Sequence, residues 1–203
     1  FIMVGYLLYK RVEMMKRLKK LEGKEVLTND GTIMGEFVDF TYRDGMIEKM
    51  VVKMNKDVLE DIGEEKPMFS SVRRGISIEN IKAISDNVVL YGDFDDLYID
   101  FEEVSEEDLV SEIRNKKING SEGRDVGKVE DILIDVEEWN TPSMLVNLNK
   151  EVLETLDLKG SMLSKTDMVI SMDHVAEISD WIMLDKSADE MGDIIDKESV
   201  KKV

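Results

Sequence analysis

Alternation of apolar and polar residues predicts short strands along most of the chain. Residues 33–40 and 47–54 alternate in this way on either side of an Arg-Asp-Gly turn at 43–45, which is typical of a hairpin. Residues 83–90 predict a second hairpin, with Ser-Asp-Asn at its turn. Because turn residues recur at such close intervals, the pattern indicates an all-β fold with minor helices.

A short helix is predicted after the second strand. Asn55 is a suitable N-cap, and apolar residues follow it at helical spacing. The same arrangement recurs after Asn149. The predicted buried residues are Val58, Leu59 and Ile62 in the first case and Val152, Leu153 and Leu156 in the second.

The chain repeats itself, which is the most informative feature of the sequence. The matched blocks are 29–40 with 121–132, 55–60 with 149–154, and 84–86 with 178–180. Two extra residues in the second copy fall at the turn before Pro142, where an insertion costs little. Three blocks in one order predict two copies of one small domain.

Each copy contains about six short strands in fewer than about 80 residues, and closing such a sheet removes exposed edges. We therefore predict two tandem small six-stranded β-barrels preceded by a short N-terminal helix. The predicted parts are an apolar and basic helix or anchor at 1–20, the first repeat at 21–97, an acidic linker or helix at 98–112, the second repeat at 113–190, and a charged C-terminal tail at 191–203.

Charge is distributed unevenly along the chain. The formal net charge is -18, but residues 1–24 carry +5 and the remainder carries -23. The strongly negative remainder of the chain repels the phosphate groups of nucleic acids. We therefore do not expect the chain to bind DNA or RNA directly. The absence of Cys and the single His exclude thiolate and multi-His metal sites. We expect no metal, no cofactor and no catalytic residue.

The N-terminal segment joins an uncharged run at 1–9 to a basic run, and a nine-residue run is too short to span a bilayer. Three interpretations remain open: the end of a longer membrane helix in a fragment that begins at Phe1, an interfacial anchor, or a helix packed on its own barrel or on a second copy. Apolar residues at helical spacing support a helix in each case. Membrane or partner contacts are predicted at Phe1, Ile2, Val4, Tyr6, Leu7, Leu8, Lys10, Arg11, Lys16 and Arg17.

The segment between the copies is strongly acidic, with nine Asp and Glu between 93 and 108. Ser105 is predicted to start a helix that docks Leu109, Val110 and Ile113. At an offset of 92 residues, Leu18 and Leu21 correspond to Val110 and Ile113. Each repeat is therefore predicted to follow a short helix.

A calcium loop in this acidic segment is not supported. Such a loop needs Gly at its sixth position and Glu at its twelfth, counted here from Asp93. Tyr98 and Val104 occupy those positions. Weak binding of a divalent cation or of a basic partner stays open, and the default interpretation is a solvated acidic linker.

The first repeat resembles the PRC-barrel family. The resemblance lies in Leu21-x-Gly23-Lys24-x-Val26, in Asn29-x-Gly31-x-x-Gly35-x-x-x-Asp39, in the strand at 50–52, and in Ile78-x-x-Ile81-x-x-Ile84-Ser85-Asp86-Asn87-Val88-Val89-Leu90. The second repeat shows the same elements from Gly123 to Leu184. It departs at its start, where Ile113-Arg114-Asn115-Lys116 replaces the Leu-x-Gly-Lys element.

This resemblance implies a small six-stranded β-barrel that serves as a protein-binding module. Such barrels occur in a photosynthetic reaction-centre subunit, in a ribosome-maturation factor and in archaeal proteins, some of which partner a membrane-tethered FtsZ anchor in cell division. Two tandem barrels look most like the archaeal group. The implied function is a non-enzymatic adaptor, cytoplasmic or at the inner face of the membrane, with protein partners and a potential to homodimerise. The alternative is a factor of the 16S rRNA-processing type that acts through ribosomal-protein binding.

Few other residues invite a functional interpretation. His174 is predicted to be a solvent-facing turn residue rather than a catalytic base. Trp139 and Trp181 occur at turns of the second repeat, where they form either a partner-binding patch or a lid over the barrel end. The remaining candidates, interpreted as turn and barrel-bend glycines, are Gly31, Gly35, Gly123 and Gly127.

Overall fold

The computed structural model describes residues 15–64, 71–139, 141–156 and 167–196. These residues are mostly β and form two sheets, as predicted for an all-β chain with minor helices. The chain divides into two compact units. The repeat-1 unit comprises residues 19–110, and the repeat-2 unit comprises residues 1–18 together with 111–203.

The strands are β1 (Met15–Arg17), β2 (Glu25–Leu27), β3 (Ile33–Arg43), β4 (Met46–Met54), β5 (Arg73–Ser77), β6 (Ile81–Ile84), β7 (Val88–Leu90), β8 (Lys117–Asn119), β9 (Asp125–Asp135), β10 (Ser143–Leu148), β11 (Asp167–Ser171), β12 (Val175–Ile178), β13 (Trp181–Leu184) and β14 (Ile195–Asp196). The α-helices are α1 (Leu18–Leu21), α2 (Lys56–Asp61), α3 (Phe94–Leu97) and α4 (Lys150–Thr155). Single 3-10 turns lie at Ile78–Asn80, Tyr98–Asp100, Glu106–Asp108, Val110–Ile113, Met172–His174 and Ala188–Asp193.

The sheet of the repeat-1 unit has the order β5-β4-β3-β2-β7-β6. β3 and β4 form the predicted hairpin, closed by Asp44 and Gly45, which both have positive φ. Its core is built from inward residues such as Phe37 and Phe40, whose rings meet edge to face with centroids 4.9 Å apart. Only the β2–β7 ladder is parallel.

The sheet of the repeat-2 unit follows the same order, with β12-β13-β8-β9-β10-β11-β14 as its main path. The β8–β13 ladder is again the parallel one. A register shift lies one residue before Asp39 in β3 and before Asp131 in β9, at corresponding positions of the two repeats. Both aspartates are buried.

Closure of each sheet into a barrel stays a prediction. β5 and β6 lie at the two ends of their sheet, and the 3-10 turn at Ile78–Asn80 connects them. Among the described residues no ladder joins these two strands. The outer edge of β5 pairs instead with Glu102, which lies after α3 in the chain. Gly75 and Glu102 exchange two backbone hydrogen bonds of 2.8 and 3.1 Å.

β1 corrects part of the predicted N-terminal helix. Residues 15–17 form an extended strand that pairs with the end of β9, and among the described residues of this segment helix is confined to α1. Met15 packs against a buried cluster of Leu133, Leu145 and Val169. The open edge of β9 and this apolar contact therefore outweigh the helical spacing in the sequence. Residues 1–14 lie outside the described residues.

The segment that precedes each repeat pairs with a long strand of the other repeat, which is β9 in one case and β3 in the other. Arg17 lies opposite Leu133 in the repeat-2 unit, and Leu109 forms a bridge with Thr41 in the repeat-1 unit. Both pairs occupy corresponding positions at an offset of 92 residues. The units also divide at corresponding places, after Leu18 and after Val110.

A single helical turn lies before each repeat, α1 in one case and the 3-10 turn at Val110–Ile113 in the other, and the short N-terminal helix predicted at 1–20 is not confirmed. The longer helix predicted from Ser105 is wrong. A single 3-10 turn at Glu106–Asp108 is followed by an extended Leu109, which is buried against the sheet. The bridge to Thr41 interrupts the helix because an extended residue is needed to reach the strand.

Candidate protein-interaction surfaces

Of the predicted N-terminal contact residues, the structure describes Lys16 and Arg17, and the others lie outside the described residues. Lys16 lies opposite Ile134 in the β1–β9 ladder and is exposed. Arg17 is half-buried. The end of the basic run is thus held in a sheet and still presents charge to solvent.

Trp139 and Trp181 lie far apart along β9. Trp181 pairs with Lys117, which pairs in turn with Lys128 near the start of β9. Trp139 follows the end of that strand, and its amide donates a 3.0 Å hydrogen bond to Asp135 O. Lys128 and Asp135 are seven positions apart in β9, which corresponds to on the order of 20 Å along the strand. The register thus places the two Trp residues toward opposite ends of β9.

Trp181 is the more accessible indole, with 46% of its surface exposed. It begins β13, directly after the turn of the terminal hairpin. Ile178, at the end of β12, is 40% exposed. Trp139 is half-buried with a positive φ of 51°. Any Trp-based contact of this unit is therefore best assigned to the β12–β13 hairpin.

A lysine holds the terminal hairpin turn of each unit. Lys24 Nζ donates a 3.2 Å hydrogen bond to Asp86 O, and Lys116 Nζ donates a 2.5 Å hydrogen bond to Ser179 O. The unusual start of the second repeat therefore keeps this contact.

The four glycines form two corresponding pairs. Gly31 and Gly123 have φ values of +89° and +82°, in the left-handed region. At Gly35 a Cβ would overlap the carbonyl oxygen of Lys53, and at Gly127 it would overlap that of Asn147. Both of these glycines admit a neighbouring strand to close approach.

His174 ends a 3-10 turn, and its Nδ1 lies 3.3 Å from Asp185 Oδ1. The side chain is half-buried. Across the described ranges, no cluster of three or more His, Asp or Glu side chains is arranged to hold a metal ion.

An open cleft of about 530 Å³ lies in the repeat-1 unit beside β5. Arg73 and Arg74 line it, together with Glu103, Glu106 and Leu109. Arg74 Nη2 lies 2.6 Å from Glu64 Oε2, and Arg73 Nη1 lies 3.8 Å from Glu106 Oε1. Acids of the same unit thus already lie against both guanidinium groups.

Among the described residues, the repeat-1 unit has an exposed apolar surface that the sequence did not single out. It comprises Tyr91, Phe94, Tyr98 and Ile99, here called the aromatic patch. Tyr91, Tyr98 and Ile99 are 55%, 41% and 72% exposed. The Phe94 and Tyr98 rings stack with centroids 5.8 Å apart. A position-by-position comparison of the two repeats would have revealed it, because the second repeat has no aromatic residue at these positions.

Seven of the nine acidic side chains between residues 93 and 108 fall into two groups. Glu102, Glu106 and Asp108 lie in ion pairs with Lys49, Arg73 and Arg43. The Arg43–Asp108 hydrogen bond of 2.7 Å raises the pKa of Arg43 further. The second group lies around the aromatic patch and forms no ion pair within the part of the chain that the structure describes: Asp93, Asp95, Asp96 and Asp100.

Among the helices of the described residues, none combines the length and apolar character needed to cross a bilayer. In comparisons with known proteins, residues 105–191 match the PRC-barrel domain family. This range covers the whole sheet of the repeat-2 unit except β1 and β14. No curated protein matches the chain.

Proposed function

We propose, from the premise that residues 105–191 form a PRC-barrel domain, that this chain is a non-enzymatic adaptor that binds other proteins. The family match is the observation that carries the proposal, because the resemblance implies a barrel used as a protein-binding module. The shared strand order supports a second barrel of the same family in the repeat-1 unit. Two related barrels in one chain give an adaptor two surfaces.

Differences between the two units support separate partners. Their buried frames correspond, but their exposed apolar residues do not. The repeat-1 unit exposes the aromatic patch, and the repeat-2 unit exposes Trp181 and Ile178. Exposed aromatic residues are enriched at protein interfaces, so each unit presents a different contact surface.

The partner class that we propose is the archaeal-type division machinery at the inner face of the membrane. The +5 charge and apolar run of the N-terminal segment support attraction to an anionic leaflet. The chain after residue 24, which carries a net charge of -23, would be repelled by the anionic membrane surface. Such an arrangement presents the barrels to partners while the N-terminal segment stays at the lipid.

Affinity purification of the full chain from its own cells tests the adaptor proposal. An acidic protein of similar net charge is purified in parallel, because charge alone captures basic proteins. Enrichment of division proteins over this control supports the proposal. Enrichment of ribosomal proteins supports the ribosome-maturation alternative instead, and no enrichment of either class overturns both.

Co-sedimentation with vesicles tests the membrane part. The deletion must end at residue 14, because Met15–Arg17 form β1 and their loss would damage the repeat-2 unit. We expect the full chain to sediment with anionic vesicles and the chain that starts at Met15 to remain in solution. Replacement of Lys10 and Arg11 by Gln separates charge from the apolar run. Equal sedimentation of the full and shortened chains would show that the N-terminal segment is not an anchor.

A further inference from the structure

The aromatic patch occupies a place that the fold itself does not require to be aromatic. The segment after the terminal hairpin is built in the same way in both units. Tyr91 N bonds to Asn80 O at 2.8 Å, and Asp185 N bonds to His174 O at 2.9 Å. Asp93 and Ser187 then occupy the N-cap positions of the following helical turns.

Inward positions of this segment are kept in both repeats. Leu97 is 4% exposed, and its counterpart Met191 is fully buried. Outward positions are not kept. The counterparts of Tyr91, Phe94, Tyr98 and Ile99 are Asp185, Ala188, Gly192 and Asp193. Since small and acidic residues suffice in the second repeat, packing of the fold does not explain the exposed aromatic residues of the first.

Charge around the patch defines the chemistry that fits it. From Tyr91 to Asp100 the chain carries four Asp and no Lys or Arg. All four are exposed, and none forms an ion pair among the described residues. Further along the segment, Glu102, Glu106 and Asp108 lie in ion pairs with cations of their own unit. Among the described residues, the negative charge beside the exposed rings is therefore uncompensated.

Aromatic faces and carboxylates together recognise cationic side chains. Lys and Arg bind the faces of Tyr and Phe through cation–π attraction, and their charge pairs with nearby carboxylates. Their aliphatic stems cover apolar surface at the same time. The patch is an exposed surface rather than an enclosed cavity, which favours a protein segment over a small ligand.

We propose that the aromatic patch of the repeat-1 unit binds a basic segment of a partner protein in which Lys or Arg alternates with aliphatic residues. This inference rests on the proposed adaptor function and assigns one of its contact surfaces. Tyr91, Phe94, Tyr98 and Ile99 supply the apolar contact. Asp93, Asp95, Asp96 and Asp100 supply the charge that selects a basic partner.

Labelled synthetic peptides in which Arg and Leu alternate are the probe, with matched peptides that carry Glu in place of Arg. Binding to the full chain is followed by fluorescence anisotropy. We expect binding of the basic peptide and none of the acidic one. Contacts with the uncharged aromatic rings contribute to binding in addition to the ion pairs, and salt does not screen them. We therefore expect the affinity to fall only partly as the salt concentration is raised. Equal binding of the two peptides overturns the proposal.

The decisive variant gives three of the four patch positions the residues of the second repeat: Phe94→Ala, Tyr98→Gly and Ile99→Asp. It adds a negative charge, so attraction by charge alone would keep or strengthen binding. We expect binding to weaken roughly tenfold or more, since interface aromatics often carry this much energy. Unchanged or tighter binding overturns the proposal. Because Gly loosens the turn, a second variant with Tyr98→Ser and Ile99→Ser must give the same result, with thermal unfolding as a check on folding.

A matched control removes exposed apolar surface from the other repeat by Ile178→Ser and Trp181→Ser. We expect the control to bind the basic peptide like the unaltered chain, and an equal loss overturns the assignment to the patch. Self-association is measured by sedimentation. A dimer that dissociates only in the patch variant would make a second copy the occupant and overturn the proposed partner. If purification from cells recovers partners equally well with the patch variant, this inference fails while the adaptor function stands.

Discussion

Asn115 holds the same left-handed turn in the second repeat that Gly23 holds in the first. Their φ values are +67° and +79°. Asn115 N donates a 3.0 Å hydrogen bond to Val129 O, and Gly23 N donates a 2.9 Å bond to Phe37 O. The second repeat therefore departs from the family pattern here by having Asn in place of Gly. Asn is one of the few residues other than Gly that adopt the left-handed conformation readily.

Replacement of Asn115 tests this equivalence. Asn115→Ala should destabilise the repeat-2 unit by about 1 kcal/mol, because Ala at positive φ is strained. Asn115→Gly should be neutral or slightly stabilising. Both Trp residues of the chain lie in this unit, so urea unfolding followed by Trp fluorescence reports on it selectively. A loss of stability on change to Gly would contradict the geometric equivalence.

The contact of β1 with β9 predicts an asymmetry between adjacent residues. Met15→Thr should lower the free energy of unfolding by about 1–2 kcal/mol, because Met15 packs on Leu133, Leu145 and Val169. Lys16→Thr is the matched control, and since Lys16 is exposed we expect a change within about 0.5 kcal/mol. Trp fluorescence is again the measurement. Similar effects at both positions would show that the strand contributes no specific packing.

Gly127 should not accept a side chain. In Gly127→Ala the Cβ would overlap the Asn147 carbonyl oxygen, so the strands must separate at a cost of about 1–3 kcal/mol. Gly192→Ala is the control within the same unit, because its Cβ would meet only the end of the Leu156 side chain at 3.3 Å. We expect that variant to unfold close to the unaltered chain. Gly35→Ala should repeat the effect of Gly127→Ala in the repeat-1 unit, as measured by circular dichroism.

Glu190 makes the last turn of the repeat-2 unit sensitive to acid. Hydrogen bonds from Ser187 Oγ and N, of 2.7 and 3.0 Å, lower the pKa of Glu190. A lowered folded-state pKa means that this stabilisation is complete above the ordinary Glu pKa of about 4.3 and is lost as pH falls through the lower value. The protection factor of the Ser187 amide, which is its exchange rate corrected for the intrinsic dependence on pH, should therefore fall as pH drops through the lowered pKa of Glu190. In Glu190→Gln this protection factor should not change with pH over the same range, and an unshifted Glu190 titration by NMR would contradict the interpretation.

Local signals in the sequence predicted much of the fold. The Asp44-Gly45 turn and the hairpin near 83–90 were found because their conformations depend on residues within the turn itself. Asn55 was correctly predicted as an N-cap residue, but its side chain makes no cap bond and donates instead to Ile33 O at 3.1 Å. The side-chain amide instead donates to a distant strand, and a local rule contains no information about that strand.

Elements that depend on distant partners were not predictable in the same way. β1 has helical spacing in its sequence, and only the open edge of β9 makes it a strand. The extended conformation of Leu109 likewise depends on Thr41. For the candidate surfaces, the sequence grouped Trp139 with Trp181 because both lie at turns of the second repeat, and register places them toward opposite ends of β9.

The segment before each repeat pairs with a strand of the other repeat, β1 with β9 and Leu109 with β3. This exchange determines how the pairing depends on protein concentration. A single repeat with its leading segment could make the same pairing only by lending that segment to another molecule. Here the exchange occurs within one chain, so an intermolecular association has become an intramolecular one. Dilution therefore leaves the pairing intact. A cut at residue 110 would leave Leu109 with Thr41 but would separate β1 from β9, so the second half excised there would lack a strand of its own sheet.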